Sequence, residues 1–391
     1  MRPRFFGFVT VAATVVILSF TKLQLSREDL LPLSQIVTFD STQFDQNVVK
    51  IMEVDKGLAE ALETGSTLTL RGEAEDGVVL CSADKTYDVK EAETSNSLLL
   101  LDGVTWPQEA SAGCGNDNPT ALERRSIQGV YHTYLEVKEM RPRLRRLFHL
   151  ISEKNGQYPG GSGFRFEDLC SRIQCSETEL RAGLAEAGAM EMDGKWYTLQ
   201  ADDKMRVLSL ITNFIEENSW PLDGVVREET LRELAEIESR GVVEHVFDAF
   251  LDPTDGGGGD KYSLNAPAVS RFYGEYLLQT TGNAFNLAEF AVMWQQAVPE
   301  GVGTDVQKDL RGIALVDKKV VKYFPEWKLT ENVQERLASL FAIKEKWTMD
   351  EIAPFVEKLT APKLNVNALL TKYSRVSMIN GVKHFSSKHG K

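Results

Sequence analysis

The sequence lacks a phosphate-binding loop. Its two glycine-rich stretches, residues 156–163 and 256–259, do not carry the Gly-Lys-Ser/Thr that holds nucleotide phosphates, so we interpret both as flexible turns. Ser162 has neither the full pattern nor the strand-turn-helix context of a nucleophile elbow. Glu244 and His245 are adjacent inside a predicted amphipathic helix, where His245 is best interpreted as structural. The sequence therefore predicts no catalytic residue and no cofactor, and a protein that is not an enzyme.

Metal ligands and cysteines are scarce as well. The five histidines do not pair at metal-ligand spacings on any predicted helix. The four cysteines are too few for a disulfide framework, and Cys170 and Cys175 lack the spacing and the partner pair of a zinc site. No Asn-x-Ser/Thr glycosylation site is present, since Asn118 is followed by proline. We predict no metal site, reduced cysteine thiols and, from the absence of a glycosylation site, an intracellular protein.

Long apolar runs are missing apart from one at the start of the chain. Arg2 and Arg4 precede apolar residues 5–20, which have the length of a secretory signal but no small-x-small cleavage site after them. The run is shorter than the roughly 20 residues that span a bilayer. We treat residues 1–33 as an apolar leader with two interpretations, a targeting segment or a wrongly assigned first exon.

Negative charge prevails, with 57 acidic against 44 basic residues and a formal net charge of -13. Such a chain does not bind nucleic acid over its whole surface, because phosphate binding depends on Lys and Arg releasing counterions. The balance reverses from Asn332 onward, where ten basic residues face five acidic ones. This part of the chain is either a local DNA-binding surface or a solvated basic face.

Residues 34–102 alternate in polarity over short runs bounded by Gly and Asp, which is typical of strands. A short helix over residues 56–63 ends before Gly65. Because short strands in close succession usually form a barrel or sandwich, we predict a small β-barrel over residues 34–102. Residues 103–140 are predicted to be a linker, rich in Gly, Ser, Asn and Asp, and a lead-in helix.

Beyond residue 140, one pattern recurs about every 60 residues: a helix, a short helix, a third amphipathic helix and a hairpin. Asp193-Gly194 and Asn380-Gly381 are strong hairpin turns in two of the copies. We interpret the copies as winged helices over residues 141–200, 201–265, 266–330 and 331–391. The predicted fold class is α+β, an N-terminal small β-barrel domain followed by an array of three to four winged-helix domains.

A winged helix that binds DNA should carry Lys or Arg on its third helix and on its hairpin. The predicted third helix of the first copy carries Arg181 against three glutamates, and the second copy is no more basic. In the fourth copy, Lys372 and Arg375 are three residues apart on the predicted third helix and so share a face. The candidate DNA-binding residues, which would hold phosphates without reading bases, are Lys344, Lys346, Lys372, Arg375, Lys383 and Lys388.

Several ordered motifs resemble a known family. TLTLRGE at residues 67–73, VVLCSADKTYDVK at residues 78–90 and ETSNSLLLL at residues 93–101 resemble the signature block of the "defective in sister chromatid cohesion" (Dcc) family. The match is specific because charged, Cys, Thr-Tyr and Ser-Asn-Ser elements occur together in order. Further segments similar to that family's C-terminal motifs are residues 290–301, 312–317, 323–325, 336–341 and 346–354.

The resemblance implies a nuclear, non-catalytic subunit of an alternative clamp loader, a replication factor C-like complex that loads or unloads the sliding clamp during sister chromatid cohesion. It implies that the chain pairs with a small β-barrel subunit, joins a large ATPase subunit, and extends winged helices toward DNA and the leading-strand polymerase. By matching position, the partner-binding candidates are Thr67, Leu68, Thr69, Leu70, Val79, Cys81, Thr86, Tyr87, Ser95 and Leu98. The polymerase-docking candidates are Arg143, Arg145 and Arg146.

Two other functions stay open at this point. The apolar leader favours a membrane-anchored or secreted scaffold of helical repeats, and it departs from a nuclear family. A stand-alone transcription factor would need basic recognition helices in more than one copy, which the sequence does not show.

Overall fold

The computed structural model describes residues 33–39, 50–72, 77–101, 103, 121–254, 260–282, 284–360 and 365–388. Two compact bodies divide the chain: an amino-terminal body from Met1–Ser82 and Tyr87–Lys138, and a carboxy-terminal body from Ala83–Thr86 and Glu139–Lys391. The predicted mixed α+β class is confirmed. Nearly all of the predicted leader and linker, together with Cys114, residues 256–259 and Lys363, lies outside the described residues.

The amino-terminal body is built on one six-stranded sheet. Its strands are β1 (Leu33–Phe39), β2 (Met52–Glu53), β3 (Thr69–Arg71), β4 (Val79–Cys81), β5 (Thr86–Leu101) and β6 (Ala121–Met140). Their order is β1-β6-β5-β4-β3, and β2 also pairs with β6. Both β1 and β2 run parallel to β6, whereas β3 runs antiparallel to β4. Since β1 and β3 do not pair across the described residues, the sheet is open there, and the predicted closed barrel is not confirmed.

The lead-in helix predicted before residue 140 is wrong, because residues 121–140 form the long strand β6. The burial of this segment has a period of two, with Ile127, Gly129 and Tyr131 buried and the residues between them more exposed. β-Branched and aromatic residues are frequent in it, as is typical of strands. The two-residue period, and not the loop-like composition that precedes it, determines the structure of this segment.

One helix, α1 (Lys56–Glu63), covers the core of the amino-terminal body and lies where the sequence predicts it. Its first turn is capped by Asp55, whose carboxylate accepts from the backbone N–H of Leu58 at 2.9 Å. Leu58 is buried, in a cluster that also contains Leu80, Tyr87 and Val137. Gly65 follows the helix at φ +82°, a conformation that favours glycine.

The carboxy-terminal body repeats one order of elements: helix, strand, helix, helix and a two-stranded hairpin. The first module, residues 145–199, contains α2 (Arg145–Ser152), β7 (Gln157–Tyr158), α3 (Phe166–Arg172), α4 (Glu177–Glu186), β8 (Ala189–Met192) and β9 (Lys195–Leu199). The second module, residues 201–264, contains α5 (Ala201–Glu217), β10 (Val225–Val226), α6 (Arg227–Leu234), α7 (Arg240–Phe250), β11 (Leu251–Pro253) and β12 (Lys261–Leu264).

The remaining two modules follow the same order. The third, residues 266–323, contains α8 (Ala266–Thr281), β13 (Phe285–Asn286), α9 (Leu287–Ala297), α10 (Val306–Asp309), β14 (Ala314–Asp317) and β15 (Val320–Tyr323). The fourth, residues 333–387, contains α11 (Val333–Ile343), β16 (Trp347–Thr348), α12 (Met349–Val356), α13 (Val366–Tyr373), β17 (Ser374–Ile379) and β18 (Val382–Ser387). In every module the last strand lies between the other two.

The modules differ in how they bury their apolar residues. The second and third share one continuous core, which Met190 of the first module also joins. In it Phe250 of α7 and Phe272 of α8 contact each other as tilted rings, with centroids 5.3 Å apart. The first and fourth modules have cores of their own, and the fully buried Trp347 and Phe385 lie at the centre of the fourth. The fourth module is therefore held together mainly by its own residues.

The turn Ala83–Thr86 belongs to the carboxy-terminal body and contacts the start of α4. Ser176 and Glu179 form a capping box at this helix. The hydroxyl of Thr86, which is fully buried, donates to Glu179 and accepts from the backbone N–H of Ser176 at 2.9 Å. One side chain thus joins the turn to the capping box.

Candidate nucleic-acid interface

The fourth module positions the basic residues of the C-terminal part on α13 and on the β17–β18 hairpin. Asn365 begins α13, since its side chain accepts from the backbone N–H of Ala368 at 2.8 Å. The hairpin turns at Asn380 and Gly381, with φ of +50° and +78°. Positive φ at both turn residues is typical of the two-residue turns that match the twist of a hairpin. The turn predicted at these two residues is confirmed.

This part of the chain has no carboxylate side chain. Residues 358–391 contain seven Lys and Arg residues and neither Asp nor Glu, in a chain whose net charge is -13. Four of these cations lie in the described segment 365–388: Lys372, Arg375, Lys383 and Lys388. A set of like charges without interspersed acids produces a locally positive potential on an acidic protein.

The face that we predicted for Lys372 and Arg375 is wrong, because they lie on different elements. The helix α13 ends at Tyr373, and Ser374 is already extended at φ -125° and ψ 167°. The hydroxyl of Ser374 donates to the carbonyl of Leu370, which closes the last turn. Lys372 is exposed in that turn, and Arg375 is exposed on β17 opposite Ser386.

The lysines of the hairpin reach back to the helix. Lys383 donates to the amide oxygen of Asn367 at 2.8 Å, and its ammonium lies 5.4 Å from the centre of the Phe385 ring. Lys388 donates to the backbone carbonyl of Lys372. The structure therefore brings Lys372, Lys383 and Lys388 to the side of the hairpin that holds α13. Arg375 lies on the opposite face, because alternate residues of a strand point to opposite sides.

Lys344 and Lys346 precede the short strand β16. Lys344 pairs with Glu351 at 2.7 Å and lies 5.6 Å from the centre of the Trp347 ring. Partial burial opposes ionisation of Glu351, but the bonds from Lys344 and from the backbone of Thr348 prevail and lower its pKa. Lys346 is exposed, and none of the described carboxylates lies within ion-pairing distance of it. Of the two lysines, Lys346 is therefore the better placed to pair with an anion from another molecule.

The third helices of the other modules are not basic. On α4, Arg181 stacks on the Phe166 ring at 4.1 Å. On α7, Glu244 and Asp248 both accept from Arg227, at 2.6 and 3.1 Å. The short helix α10 spans only four residues. The hairpin of the third module is also basic, with Lys318, Lys319 and Lys322 beside Asp317. The fourth module differs from the others in that its third helix and hairpin carry no acidic residue.

Partner-binding candidates divide between surface and core in the described sheet. Leu70 on the end strand β3 is 60% exposed, and Thr67, Thr69 and Ser95 are exposed as well. Leu68 and Leu98 are half-buried. The remaining four are already buried within the chain, namely Val79, Cys81, Thr86 and Tyr87. The end of a sheet is where a strand from another chain can pair, and an exposed leucine there can contact that strand.

Two of the polymerase-docking candidates, Arg143 and Arg145, line a cavity of about 580 Å³ formed by the first module, the segment after the third, and the fourth module. Arg146 is exposed and does not line this cavity. Lys358 lies in the cavity wall and pairs with Glu186 and with Glu326, the latter at 3.1 Å. Its ammonium also lies 5.7 Å from the centre of the Phe148 ring. The cavity wall is therefore an ion-pair junction between modules.

Other sites that the sequence left open have structural roles or find no support. His245 bonds to the carbonyl of Gly188 at 3.0 Å, and burial, followed by the nearby Lys204, lowers its pKa. Across the described residues we find no group of three His, Cys, Asp or Glu side chains placed to hold a metal ion. In the same part of the chain, every helix is too short or too polar to cross a membrane.

These features define an α+β protein of repeated helix-and-hairpin modules with a basic end. The family model described as sister chromatid cohesion protein Dcc1 matches residues 49–356. The chain therefore belongs to the Dcc1 family, as the resemblance of its motifs predicted.

Relatives from distant organisms agree with this assignment. "Sister chromatid cohesion protein DCC1" from Danio rerio is 36% identical over 380 residues, which is 93% of this chain and 95% of the relative. The Homo sapiens protein of the same name is 35% identical over 350 residues, covering 86% and 88% of the two chains. The Saccharomyces cerevisiae protein is 22% identical over 319 residues, covering 76% and 84%. The comparisons do not support the membrane-anchored or secreted alternative.

Proposed function

We propose that this chain is a non-catalytic subunit of an alternative clamp loader that acts in the nucleus during DNA replication and supports sister chromatid cohesion. Two observations support the proposal. The relatives that it matches over most of its length are named as cohesion proteins. The sequence also lacks the Gly-Lys-Ser/Thr of a nucleotide-driven motor, so the energy for loading or unloading the sliding clamp comes from another subunit.

The amino-terminal sheet binds the partner subunits. An end strand presents unpaired N–H and C=O groups, and a partner strand that adds to it gains main-chain hydrogen bonds along its length. The end strand β3 is short and carries the exposed Leu70, and Val78, directly before β4, is 45% exposed. We assign the binding site of the small β-barrel partner to this edge. The large ATPase subunit then joins the chain through that partner.

The four modules act as winged helices. Their order of helix, strand, helix, helix and hairpin, with the last strand central in the sheet, supports this assignment. Arg143, Arg145 and Arg146 lie at the start of the first module, where their charge suits an acidic surface on the leading-strand polymerase.

The fourth module binds DNA without reading its sequence. The single observation that carries this proposal is the segment 365–388, which holds four cations and no carboxylate side chain in an acidic chain. Lys372, Lys383 and Lys388 lie together beside α13, and Arg375 lies across the hairpin. Such a surface binds phosphates with an affinity that falls steeply with salt.

A salt titration of the full chain on duplex DNA tests the proposal. The triple variant Lys372→Ala, Arg375→Ala, Lys383→Ala should bind more weakly, with a slope of log affinity against log salt that is smaller by about 2 to 3. The matched control removes the same charge from exposed lysines of the third module, Lys308→Ala, Lys319→Ala and Lys322→Ala, and should keep most of the slope. Equal losses in both variants would mean that the module has no special role in DNA binding.

A further inference from the structure

The β17–β18 hairpin carries exposed apolar side chains near its tip. Met378 is 65% exposed, Val382 is 48% exposed and Val376 is 38% exposed. Met378 lies opposite Lys383, and Ile379 lies opposite Val382, directly before the turn at Asn380 and Gly381. The described residues leave these side chains uncovered, and apolar side chains grouped at one exposed place are a feature of interaction sites.

The strands of this hairpin are longer than the described hairpin strands of the other modules. β17 and β18 have six residues each, whereas the described hairpin strands of the other modules have three to five. At roughly 3.4 Å per residue, one to three extra residues carry the tip about 3 to 10 Å farther. The buried Phe385 pairs with Val376, and every residue pair beyond that point leaves the core.

Cations lie on both faces of this hairpin. Lys383 lies near the tip on the face that carries Met378, while Arg375 lies on the other face, nearer the base of the hairpin. No carboxylate side chain occurs from residue 358 to the end of the chain. A partner that suits this arrangement is anionic on both sides of the hairpin and apolar between the anions.

Continuous duplex DNA meets only part of this requirement, because its base faces are covered by stacking. Where a duplex passes into a single strand, the last base pair exposes one apolar face and the two backbones diverge around it. Apolar side chains that insert between bases must unstack them, at a cost of about a few kcal/mol per step. That cost is least where the stack is already interrupted.

We propose that the hairpin tip of the fourth module recognises the junction between double-stranded and single-stranded DNA. Met378 and Val382 contact the uncovered face of the terminal base pair, and Arg375 and Lys383 hold phosphates of the two diverging strands. This inference rests on the proposed binding of DNA by the fourth module and names the form of DNA that the module selects.

Fluorescence anisotropy of the full chain with three labelled DNA probes tests the inference. The probes are a continuous duplex, a single strand, and a duplex that continues into a single strand, all matched in their number of phosphates. We expect the junction to bind about tenfold more tightly than either other probe, as burying roughly half of two apolar side chains would give.

The variants separate apolar contact from charge. Met378→Gln and Val382→Thr, made together, keep the charge and approximate size of both side chains. They should reduce junction binding to the level of the duplex without changing the salt slope. The matched control is Val320→Thr, since Val320 is 44% exposed at the equivalent first position of β15 in the third module. It should leave all three affinities unchanged, and the thermal unfolding of each variant confirms that its hairpin is folded.

Failure of the inference is distinguishable from failure of the proposed DNA binding. Equal wild-type affinity for junction and duplex, or an equal loss on all three probes in the Met378→Gln, Val382→Thr variant, overturns junction recognition and leaves DNA binding in place. If no probe is bound at low salt, both proposals are overturned, and the apolar tip is then a contact for another protein.

Discussion

The guanidinium of Arg336 donates to the carboxylate of Glu326 at 2.5 Å, and both side chains are buried. Glu326 follows the third module, whereas Arg336 lies on α11 of the fourth, so this ion pair joins the fourth module to the chain that precedes it. Arg336 also donates to the backbone carbonyls of Leu329, Thr330 and Phe355. The pair is therefore fully hydrogen-bonded, as a buried ion pair must be to avoid a large desolvation cost.

Removing one partner of this pair should be strongly destabilising. Arg336→Met leaves the buried Glu326 carboxylate with Lys358 as its remaining cationic partner and deprives three backbone carbonyls of the guanidinium donor, so we expect a loss of about 3 kcal/mol. Urea unfolding followed by tryptophan fluorescence measures the change. Combining Arg336→Met with Glu326→Gln should recover part of the loss, because no buried charge is then left. If the double variant is less stable than Arg336→Met alone, the pair does not act in this way.

Lys358 should stabilise the junction between the first and fourth modules. Partial burial acts to lower its pKa, but Glu186 and Glu326 prevail and raise it. Because its side chain is 48% exposed, the solvent-screened contribution is at most about 1 kcal/mol, which Lys358→Gln should remove near neutral pH.

The pH dependence of this effect follows from the raised pKa. The stabilisation is fully present below the unfolded-state pKa of about 10.4 and is lost as the pH rises through the folded-state value. The difference in unfolding midpoint between wild type and Lys358→Gln should therefore shrink above about pH 10.5. Lys346→Gln is the control, since Lys346 is exposed. A constant difference across this range would contradict the assignment.

His245 should destabilise the folded protein in mild acid. Its pKa is lowered, first by burial and then by the neighbouring Lys204, so the unfolded chain takes up this proton at a higher pH than the folded chain does. Stability is then fully present above the unfolded-state pKa of about 6.5 and decreases as the pH falls toward the folded-state value. His245→Gln should reduce the slope of stability against pH between about 5 and 7. A slope in His245→Gln equal to that of the wild type would contradict this role of His245.

Thr86 should matter for stability through its hydroxyl alone. Thr86→Val keeps the shape of the side chain but leaves Glu179 and the Ser176 N–H short of a partner, which costs about 1 to 3 kcal/mol. The control is Thr133→Val, which removes an exposed bond of 2.8 Å to Glu91 and should cost less than about 0.5 kcal/mol. Equal effects of the two substitutions on the urea midpoint would argue against the capping role of Thr86.

Local signals in the sequence predicted much of the local structure. The α+β class, helix α1 with its glycine end and the hairpin turn at Asn380 are all confirmed. Each depends on residues only a few positions apart, so the pattern is visible in the chain itself. Strand β6 also has such a signal, the two-residue period, which the prediction of a lead-in helix did not take into account.

Contacts between distant residues could not be predicted in this way. The end of α13 depends on Ser374 as much as on helix periodicity, and an error of two residues there moved Arg375 from the helix to a strand. The bond from Lys383 to Asn367 joins a strand and a helix, and the two residues are 16 positions apart. No local pattern in the sequence indicates that they meet. The exposed tip around Met378 was missed because alternating apolar residues in a strand usually indicate a core face.

The shared core of the second and third modules constrains how this architecture could have grown by duplication. Only Asn265 separates β12 of the second module from α8 of the third, and the rings of Phe250 and Phe272 contact each other across this boundary. A duplicated segment that contained one of these modules without the other would leave an apolar face exposed to solvent. Gain or loss of units in this family is therefore expected to move residues 201–323 as a pair, whereas the fourth module, which has a core of its own, can be exchanged singly.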